Sequence, residues 1–224
     1  NCEEFTRELS KKIESLRNDI RNGKPINIRQ SRFNQGLPQN YYHRSENGQI
    51  TGDKNEESTL FPKKYADNPF VIKANAQFTA CLGELVNSTN YKVVCLVRNP
   101  ISVIMSWRSL DLPVSKGNMK VAEKYYKNFL KEIKAESLLE SQVLICDWFF
   151  KQYEKYREHN VLVKYEDLIT QTVKTLNRIH RCEFKEVKKL QSKNLNKHYD
   201  LQESDLIKAQ IKNIGIHYRN HYSL

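Results

Sequence analysis

Residues 91–110 read YKVVCLVRNPISVIMSWRSL, and this segment is the basis of the fold that we predict. Its first part, from Val93 to Val97, is a short apolar run rich in β-branched residues, which is typical of a strand buried on both faces of a parallel sheet. Pro100 then ends the strand, because proline has no N–H for a β-ladder but suits the first turn of a helix. Apolar residues recur with helical spacing from Ile101 onward. The segment therefore predicts a strand, a tight turn and a helix.

Two polar side chains of this segment are candidates for binding a phosphate. Arg98 stands at the carboxyl end of the predicted strand, which is where ligands bind in open α/β sheets. Ser106 follows in the predicted helix, about two turns further on. An arginine offers a phosphate a planar charged fork, and a serine offers it a neutral hydrogen bond. The alternative interpretation is a surface charge at Arg98 and an ordinary helix hydroxyl at Ser106.

Arg98-Asn99-Pro100 followed by Ser106 resembles a segment of the PAPS-dependent sulfotransferase family. In that family the pattern is Arg-x-Pro, a few mixed residues and a serine in the next helix, and it binds the 3′-phosphate of PAPS (3′-phosphoadenosine 5′-phosphosulfate). The resemblance implies that Arg98 and Ser106 bind this phosphate. It also implies an α/β domain with the three-layer, P-loop NTPase-like fold, in which helices flank a mostly parallel sheet.

A second match to the family follows another predicted strand, Val161 to Lys164. The next residues are Tyr165-Glu166-Asp167-Leu168. In sulfotransferases a strand ending in Tyr-Glu-Asp-Leu occurs at the same place in the order of elements, and its tyrosine helps to hold adenosine. The resemblance therefore assigns Tyr165 to the adenosine of PAPS. Glu166 and Asp167 need no catalytic explanation, because acidic residues suit the N-terminus of a helix.

A third match is the lysine that ends the short apolar run Phe70 to Lys73, which we predict to be a strand followed by a helix over 77–86. The corresponding family strand ends in a lysine, and the resemblance makes Lys73 a candidate catalytic residue that stabilises charge on the bridging oxygen or the sulfuryl group. Asn75 stands where the cytosolic branch has a histidine proposed as the base. Asparagine cannot accept a proton, so the base lies elsewhere or the acceptor needs none. The alternative for Lys73 is a solvated cation.

One signature of the family is missing from the sequence. Sulfotransferases hold the 5′-phosphosulfate in a loop where backbone N–H groups and a helix N-terminus concentrate positive potential. Gly23-Lys24-Pro25 does not have this form, because Pro25 removes an N–H group. Either the first strand and its loop lie upstream of Asn1, or the chain is a degenerate relative that cannot activate the sulfuryl group. We expect a fold truncated at its N-terminus, because the chain does not begin with Met.

The composition limits the class of protein and its partners. The 224 residues carry a formal net charge of +11, which favours an anionic partner such as a nucleotide, an acidic substrate or nucleic acid. With 39% hydrophobic and 28% charged residues, a soluble globular protein is expected. No apolar run approaches the roughly 18 residues that cross a bilayer, so no membrane segment is expected in these residues.

The cysteines favour a reducing compartment. There are 5 of them, an odd number, and they are scattered without a C-x-x-C pair or a His/Cys cluster. This distribution argues against a disulfide framework and against a structural zinc site. We therefore expect a cytoplasmic protein without a bound metal.

The chain is predicted to form a single domain, residues 1–224. It is expected to consist of an amphipathic helix, a long polar loop, a nucleotide-binding core and a helical C-terminal part, over residues 1–22, 23–69, 70–170 and 171–224.

Three smaller regions complete this prediction. Tyr41 to Arg44, within the long loop, could form part of an acceptor-binding lid or simply anchor the loop by its rings. The segments 119–137 and 141–158 are predicted to be helices whose aromatic residues belong to the core.

Sulfuryl transfer from PAPS to an unknown hydroxyl or amine acceptor is the leading prediction, and in this interpretation nucleic acid is not a partner. The alternative is a non-catalytic basic binding domain on the same scaffold, which holds nucleic acid or an acidic polymer. A third possibility is a P-loop phosphotransferase, which would require magnesium and prefer ATP. Net charge alone does not choose among the three.

Overall fold

A computed structural model of the chain describes residues 1–29, 42–44, 50–52, 56–180, 183–185, 187, 190–196 and 198–224. The chain divides into two compact units. The N-terminal unit is Glu3–Lys73, and the C-terminal unit comprises Ala74–Leu224 together with Asn1–Cys2. The two units are described separately below.

The first helix, α1 (Cys2–Arg21), confirms the amphipathic helix predicted at the start of the chain. Ile13 and Ile20 are buried on its apolar stripe, as the spacing predicts. The helix ends at Arg21, and the turn that follows contains Gly23, whose φ of +66° favours glycine and whose N–H donates to the Ile20 carbonyl at 3.0 Å. Around Ile20 a small core forms with Ile26 and Ala66.

The stretch predicted as a long loop contains four short strands. β1 (Ile26–Arg29) pairs antiparallel with β4 (Glu56–Thr59), and β2 (Tyr42–Arg44) pairs antiparallel with β3 (Ile50–Gly52). Strands of three or four residues are too short for alternation to be recognised in the sequence. The predicted lid segment thus falls partly on β2, and Tyr41 lies outside the described residues.

The strand predicted over Phe70 to Lys73 is wrong. These residues form no regular element, and they pair with no strand in the described part of the chain. The side chain of Val71 is 93% exposed and that of Ile72 is 41% exposed. An apolar run becomes a strand only when a neighbouring strand takes up its backbone hydrogen bonds, and this run lacks one.

The C-terminal unit contains the strand and helix that were predicted from residues 91–110. β5 (Val93–Val97) pairs in parallel with β6 (Asn160–Lys164), in a register that places Val97 beside Lys164. The predicted burial of both faces is wrong. Cys95 and Val97 are buried, but Val94 and Leu96 are 41% and 51% exposed. Helices cover one face of β5, and no described element covers the other at these two residues.

The remaining helices belong to the same unit. They are α2 (Asn75–Ala80), α3 (Leu82–Ser88), α4 (Pro100–Arg108), α5 (Lys120–Tyr125), α6 (Phe129–Glu132), α7 (Leu138–Lys155), α8 (Tyr165–Thr170), α9 (Thr172–Ile179) and α10 (Gln202–Ile214). Short 3₁₀ turns occupy Pro113–Lys116, Arg157–His159 and His217–Asn220, and a further turn in the N-terminal unit occupies Lys63–Asp67.

Several predicted helices are shorter than their sequence pattern indicates. The helix expected over 77–86 is divided at Cys81, and the one expected over 119–137 is divided into α5 and α6. In the C-terminal part predicted to be helical, residues 171–224, the α-helices among the described residues are α9 and α10. Periodic apolar residues continue through each break, because successive short helices can present the same face to one core.

Helix α7 is the centre of the C-terminal core. One of its faces packs with β5, α4 and α10 through side chains that include Val143, Cys146 and Phe150. The other face packs with α5 and α6 around Trp148, whose ring makes an edge contact with Phe129 at a centroid distance of 5.1 Å. This confirms that aromatic residues of these helices belong to the core. The parallel pair β5–β6 packed with helices is an α/β arrangement, as predicted.

Candidate nucleotide-binding site

The turn from β5 into α4 is closed by local hydrogen bonds. Asn99 is the N-cap of α4, and its side-chain oxygen accepts from the N–H groups of Ile101 at 3.0 Å and Ser102 at 3.4 Å. Pro100 occupies the first helical position, where its lack of an N–H costs nothing. Arg98 therefore stands between the last residue of a strand and the cap of a helix.

The structure brings together two of the predicted site residues, Arg98 and Tyr165. Because Val97 is paired with Lys164, the next residue of each parallel strand lies at the same end of the sheet. The Arg98 guanidinium lies over the Tyr165 ring, with its central carbon 4.9 Å from the ring centroid. This distance is within the range of a cation–π contact.

Arg98 is held by groups from a distant part of the chain. Its Nε donates to Oδ1 of Asn194 at 2.7 Å, and its Nη2 donates to the Lys193 carbonyl and, at 3.2 Å, to the Tyr199 hydroxyl. In the described part of the chain, Nη1 of Arg98 takes part in no hydrogen bond. The half-buried guanidinium thus has one edge fixed by the protein and further donors available to a ligand.

The Lys193 segment, residues 190–196, also contacts Tyr165. The backbone N–H of Lys193 donates to the Tyr165 hydroxyl at 2.8 Å. This bond fixes the end of the ring, and the segment holds both Arg98 and Tyr165 in their mutual contact.

Ser106, the third predicted residue, lies half-buried on α4 and is not among the side chains that bond to Arg98. Ser102 lies one turn earlier on the same helix face. It is buried, and its hydroxyl donates to the Asn194 carbonyl at 3.0 Å. The face of α4 that carries both serines therefore meets the Lys193 segment at Ser102.

Glu166 is bonded to three other parts of this site. Its Oε1 accepts from the backbone N–H of Asn99 at 3.1 Å and from Nδ2 of Asn194 at 2.8 Å. Its Oε2 accepts from the Tyr222 hydroxyl at 2.7 Å. Glu166 stands in the first turn of α8, as expected, but its carboxylate does more than favour a helix N-terminus.

These hydrogen bonds determine the ionisation of the Glu166–Tyr222 pair. Burial of the Glu166 carboxyl favours its neutral form, but hydrogen bonds from Tyr222, Asn194 and the Asn99 N–H outweigh burial and lower the pKa of Glu166. Burial, together with the neighbouring carboxylate, raises the pKa of Tyr222. Glu166 is thus an anion at neutral pH and Tyr222 a neutral donor.

Lys73 is the last residue of the N-terminal unit and is exposed, whereas Arg98, Ser106 and Tyr165 belong to the C-terminal unit. Asn75, the residue at the position of the family histidine, begins α2. The catalytic role of Lys73 therefore stays a prediction.

Several residues that build the site were missed in the sequence. Asn194 and Lys193 lie in a polar, basic stretch without periodicity, and nothing in that stretch indicates a contact with a strand end nearly a hundred residues earlier. Ser102 carried a usable signal, because it lies four residues before Ser106 on one helix face. Glu166 was noted only for its charge.

Three thiols of the C-terminal unit are buried and protonated at neutral pH. Cys81, Cys95 and Cys146 are free and buried, and burial raises the pKa of each, that of Cys95 to about 12. Such thiols stay protonated at neutral pH and are poor nucleophiles. Cys182 lies outside the described residues.

Two further properties concern the described residues alone. Among them, no group of three or more His, Cys, Asp or Glu side chains is arranged to hold a metal ion. None of the helices described is both long and apolar enough to cross a membrane.

Comparison with known proteins assigns the family. The family model described as "Sulfotransferase domain" matches residues 55–211, which is well over half of the chain. The matched range contains the β5–α4 turn, Tyr165 and the Lys193 segment, and it confirms the predicted resemblance. No curated protein and no solved structure was found to match the chain. The match to the family model is sufficient to conclude that the chain belongs to the sulfotransferase family.

Proposed function

We propose that this chain binds PAPS at the shared carboxyl end of β5 and β6, and that it transfers the sulfuryl group to a hydroxyl or amine acceptor. The observation that carries the proposal is the contact between Arg98 and Tyr165, a cation beside an aromatic ring at 4.9 Å. An adenosine nucleotide with a 3′-phosphate presents the matching pair of features, an anionic phosphate and a flat base. Membership of the sulfotransferase family supports this donor.

In this proposal, three residues of the C-terminal unit bind two parts of the nucleotide, the 3′-phosphate and the adenosine. Arg98 binds the 3′-phosphate through guanidinium donors that the protein leaves available, and Ser106 adds a hydrogen bond from α4. Tyr165 offers its ring to the adenosine. The three-layer, P-loop-like fold that the family resemblance implies is part of the same proposal.

Lys73 is assigned to the transferring group. Sulfuryl transfer breaks the bond between sulfur and the bridging phosphate oxygen and forms one between sulfur and the acceptor, leaving adenosine 3′,5′-bisphosphate, while the O–H or N–H proton of the acceptor is released to water. The protein contributes mainly positioning and stabilisation of charge to such a reaction. An ammonium group at Lys73 would stabilise the negative charge that develops on the bridging oxygen. No role is assigned to a metal.

Transfer of radiolabelled sulfate from PAPS to a broad panel of hydroxyl and amine acceptors tests the proposal. We expect labelled product from one acceptor class, and a fall in kcat of about a hundredfold in Lys73→Ala with little change in affinity for adenosine 3′,5′-bisphosphate. Lys12→Ala, which removes an exposed lysine of the same unit, is the matched control and should behave as wild type. If sulfate were transferred to none of the acceptors, the proposal would be contradicted.

A further inference from the structure

We infer that Glu166 is a positioning residue that sets Arg98 for the 3′-phosphate and acts through Asn194. The inference rests on the proposed function, because it concerns the same phosphate site. Glu166 is separated from the Arg98 guanidinium by the Asn194 amide, which bonds to both. It therefore acts on the ligand only through the arginine.

The Asn194 amide can be oriented in only one way between its two partners. Its Nδ2 donates to Oε1 of Glu166 at 2.8 Å, and its Oδ1 accepts from Nε of Arg98 at 2.7 Å. A carboxylate only accepts hydrogen bonds and a guanidinium only donates them. An amide turned by 180° would lose both bonds. The Glu166 carboxylate therefore ensures that Oδ1 of Asn194, and not its NH₂ group, faces Arg98.

The same carboxylate oxygen also holds the main chain next to Arg98. The N–H of Asn99 donates to Oε1 of Glu166 at 3.1 Å, while Oε2 is held by the Tyr222 hydroxyl at 2.7 Å. Glu166 thus fixes both the backbone that follows Arg98 and the Nε edge of its side chain. The remaining guanidinium donors are left in a set orientation, which lowers the cost of ordering Arg98 when a phosphate binds.

Asp167 provides a matched comparison. It is the second acidic residue in the first turn of α8 and so has the same relation to the helix N-terminus. In the hydrogen bonds of the described residues, however, Asp167 contributes its main-chain oxygen, which accepts from Thr175 at 3.2 Å. Asp167→Asn therefore removes a helix-terminal charge without touching the Asn194 amide.

The test compares two ligands that differ only in the 3′-phosphate, adenosine 3′,5′-bisphosphate and adenosine 5′-monophosphate. Calorimetric Kd values are measured for wild type, Glu166→Gln, Asp167→Asn, Arg98→Ala and the double variant Arg98→Ala/Glu166→Gln. We expect Glu166→Gln to weaken binding of the bisphosphate about tenfold and to leave the monophosphate nearly unchanged. Asp167→Asn should match wild type, and Glu166→Gln should add no loss once Arg98 is gone.

Asn194→Ala gives a second, independent variant should Glu166→Gln fail to fold. It removes the amide that links Glu166 to Arg98 and should reproduce the selective loss of bisphosphate affinity. An equal loss for both ligands, or no loss in a folded variant, would overturn the inference and leave the proposed function intact. Wild type that does not prefer the bisphosphate over the monophosphate would overturn the proposed function and this inference together.

Discussion

At the scale of single residues, contacts at the end of β5 hold the Arg98 side chain in position before an anion binds. Arg98 follows the last strand residue and is held at one edge by Asn194, Lys193 and Tyr199. A long, charged side chain loses much rotamer freedom when it binds a ligand, and the contacts with the protein have already removed part of it.

Ser106→Ala should weaken binding of adenosine 3′,5′-bisphosphate by about tenfold, because a hydrogen bond to a charged phosphate oxygen would be lost. Ser102→Ala is the control on the same helix face. Its hydroxyl donates to a protein carbonyl, so its loss should lower the free energy of unfolding by about 1 kcal/mol. Calorimetry and urea denaturation separate the two effects. A larger affinity loss in the Ser102 variant than in the Ser106 variant would contradict the assignment of Ser106.

Glu166 should make stability depend on pH in the acid range. Its pKa is lowered in the folded chain, so its ionised form stabilises the fold above the ordinary pKa of glutamate, and this contribution is lost as pH falls through the lower folded value. The difference in unfolding free energy between wild type and Glu166→Gln should therefore be largest at neutral pH and shrink below a pH of about 4. Urea denaturation at several pH values measures it. A difference that stays constant with pH would be inconsistent with the lowered pKa.

The sequence predicted site residues only where the contact follows from local order. Arg98 and Tyr165 were each predicted to follow a strand directly, and their contact in the structure follows because the two parallel strands end together. Asn194 could not be predicted in this way, because its contact with Arg98 depends on how a polar stretch without periodicity crosses the strand end. The role of Glu166 was missed for the same reason, since its partners come from three other parts of the chain.

At the scale of elements, one buried carboxylate ties α7 to the 3₁₀ turn near the C-terminus. The Asp147 side chain accepts from the N–H groups of Ile216, His217 and Tyr218 at 3.1, 2.8 and 3.1 Å. It thereby satisfies the unpaired donors that begin this turn. The chain continues from this 3₁₀ turn to Tyr222, whose hydroxyl donates to Glu166.

Asp147→Asn should lower the free energy of unfolding by about 3 kcal/mol, because an amide NH₂ group replaces one acceptor at a buried position. Hydrogen exchange at the amides of residues 216–218 should become faster. Asp111→Asn is the surface control, since its ion pair with Lys116 is exposed and should contribute less than about 1 kcal/mol. Equal stability loss in the two variants would show that the turn does not depend on Asp147.

Elements were predicted best where strong local signals and tertiary packing agree. The β5–α4 unit has a β-branched run, a proline at the first helical position and an asparagine cap, and it folds as expected. The Phe70 to Lys73 run has the same apolar character, but it pairs with no strand among the residues that the structure describes, and it is irregular. Apolar pattern alone cannot say whether a neighbouring strand is present.

At the scale of the whole molecule, the net charge of +11 favours any anion, and the salt dependence of binding distinguishes a small nucleotide from a polymer. A small bisphosphate releases few counterions, so the logarithm of its binding constant should fall with the logarithm of salt with a slope of about −2. A polymeric anion held along the surface would give a much steeper slope. A single-stranded oligonucleotide that binds more tightly than the bisphosphate, with such a slope, would favour the basic binding domain over the enzyme.

The fold class and family could be recognised from three ordered motifs, whereas the division into two compact units could not. Two of the motifs, at Arg98 and Tyr165, lie where a strand ends and a helix begins, and such positions are defined by neighbouring residues. The boundary between units at Lys73 and Ala74 depends on which segments pack together, and the polar composition of residues 23–69 gave no sign of the short strand pairs there.

Calorimetric titration of adenosine 3′,5′-bisphosphate tests the central claim most directly, with ADP as the comparison ligand and Arg98→Ala as the comparison variant. The account predicts micromolar binding to wild type, clearly weaker binding of ADP, and loss of the preference in Arg98→Ala. Equal affinity for the two nucleotides, or a preference that survives the loss of Arg98, would contradict a 3′-phosphate site at the end of β5.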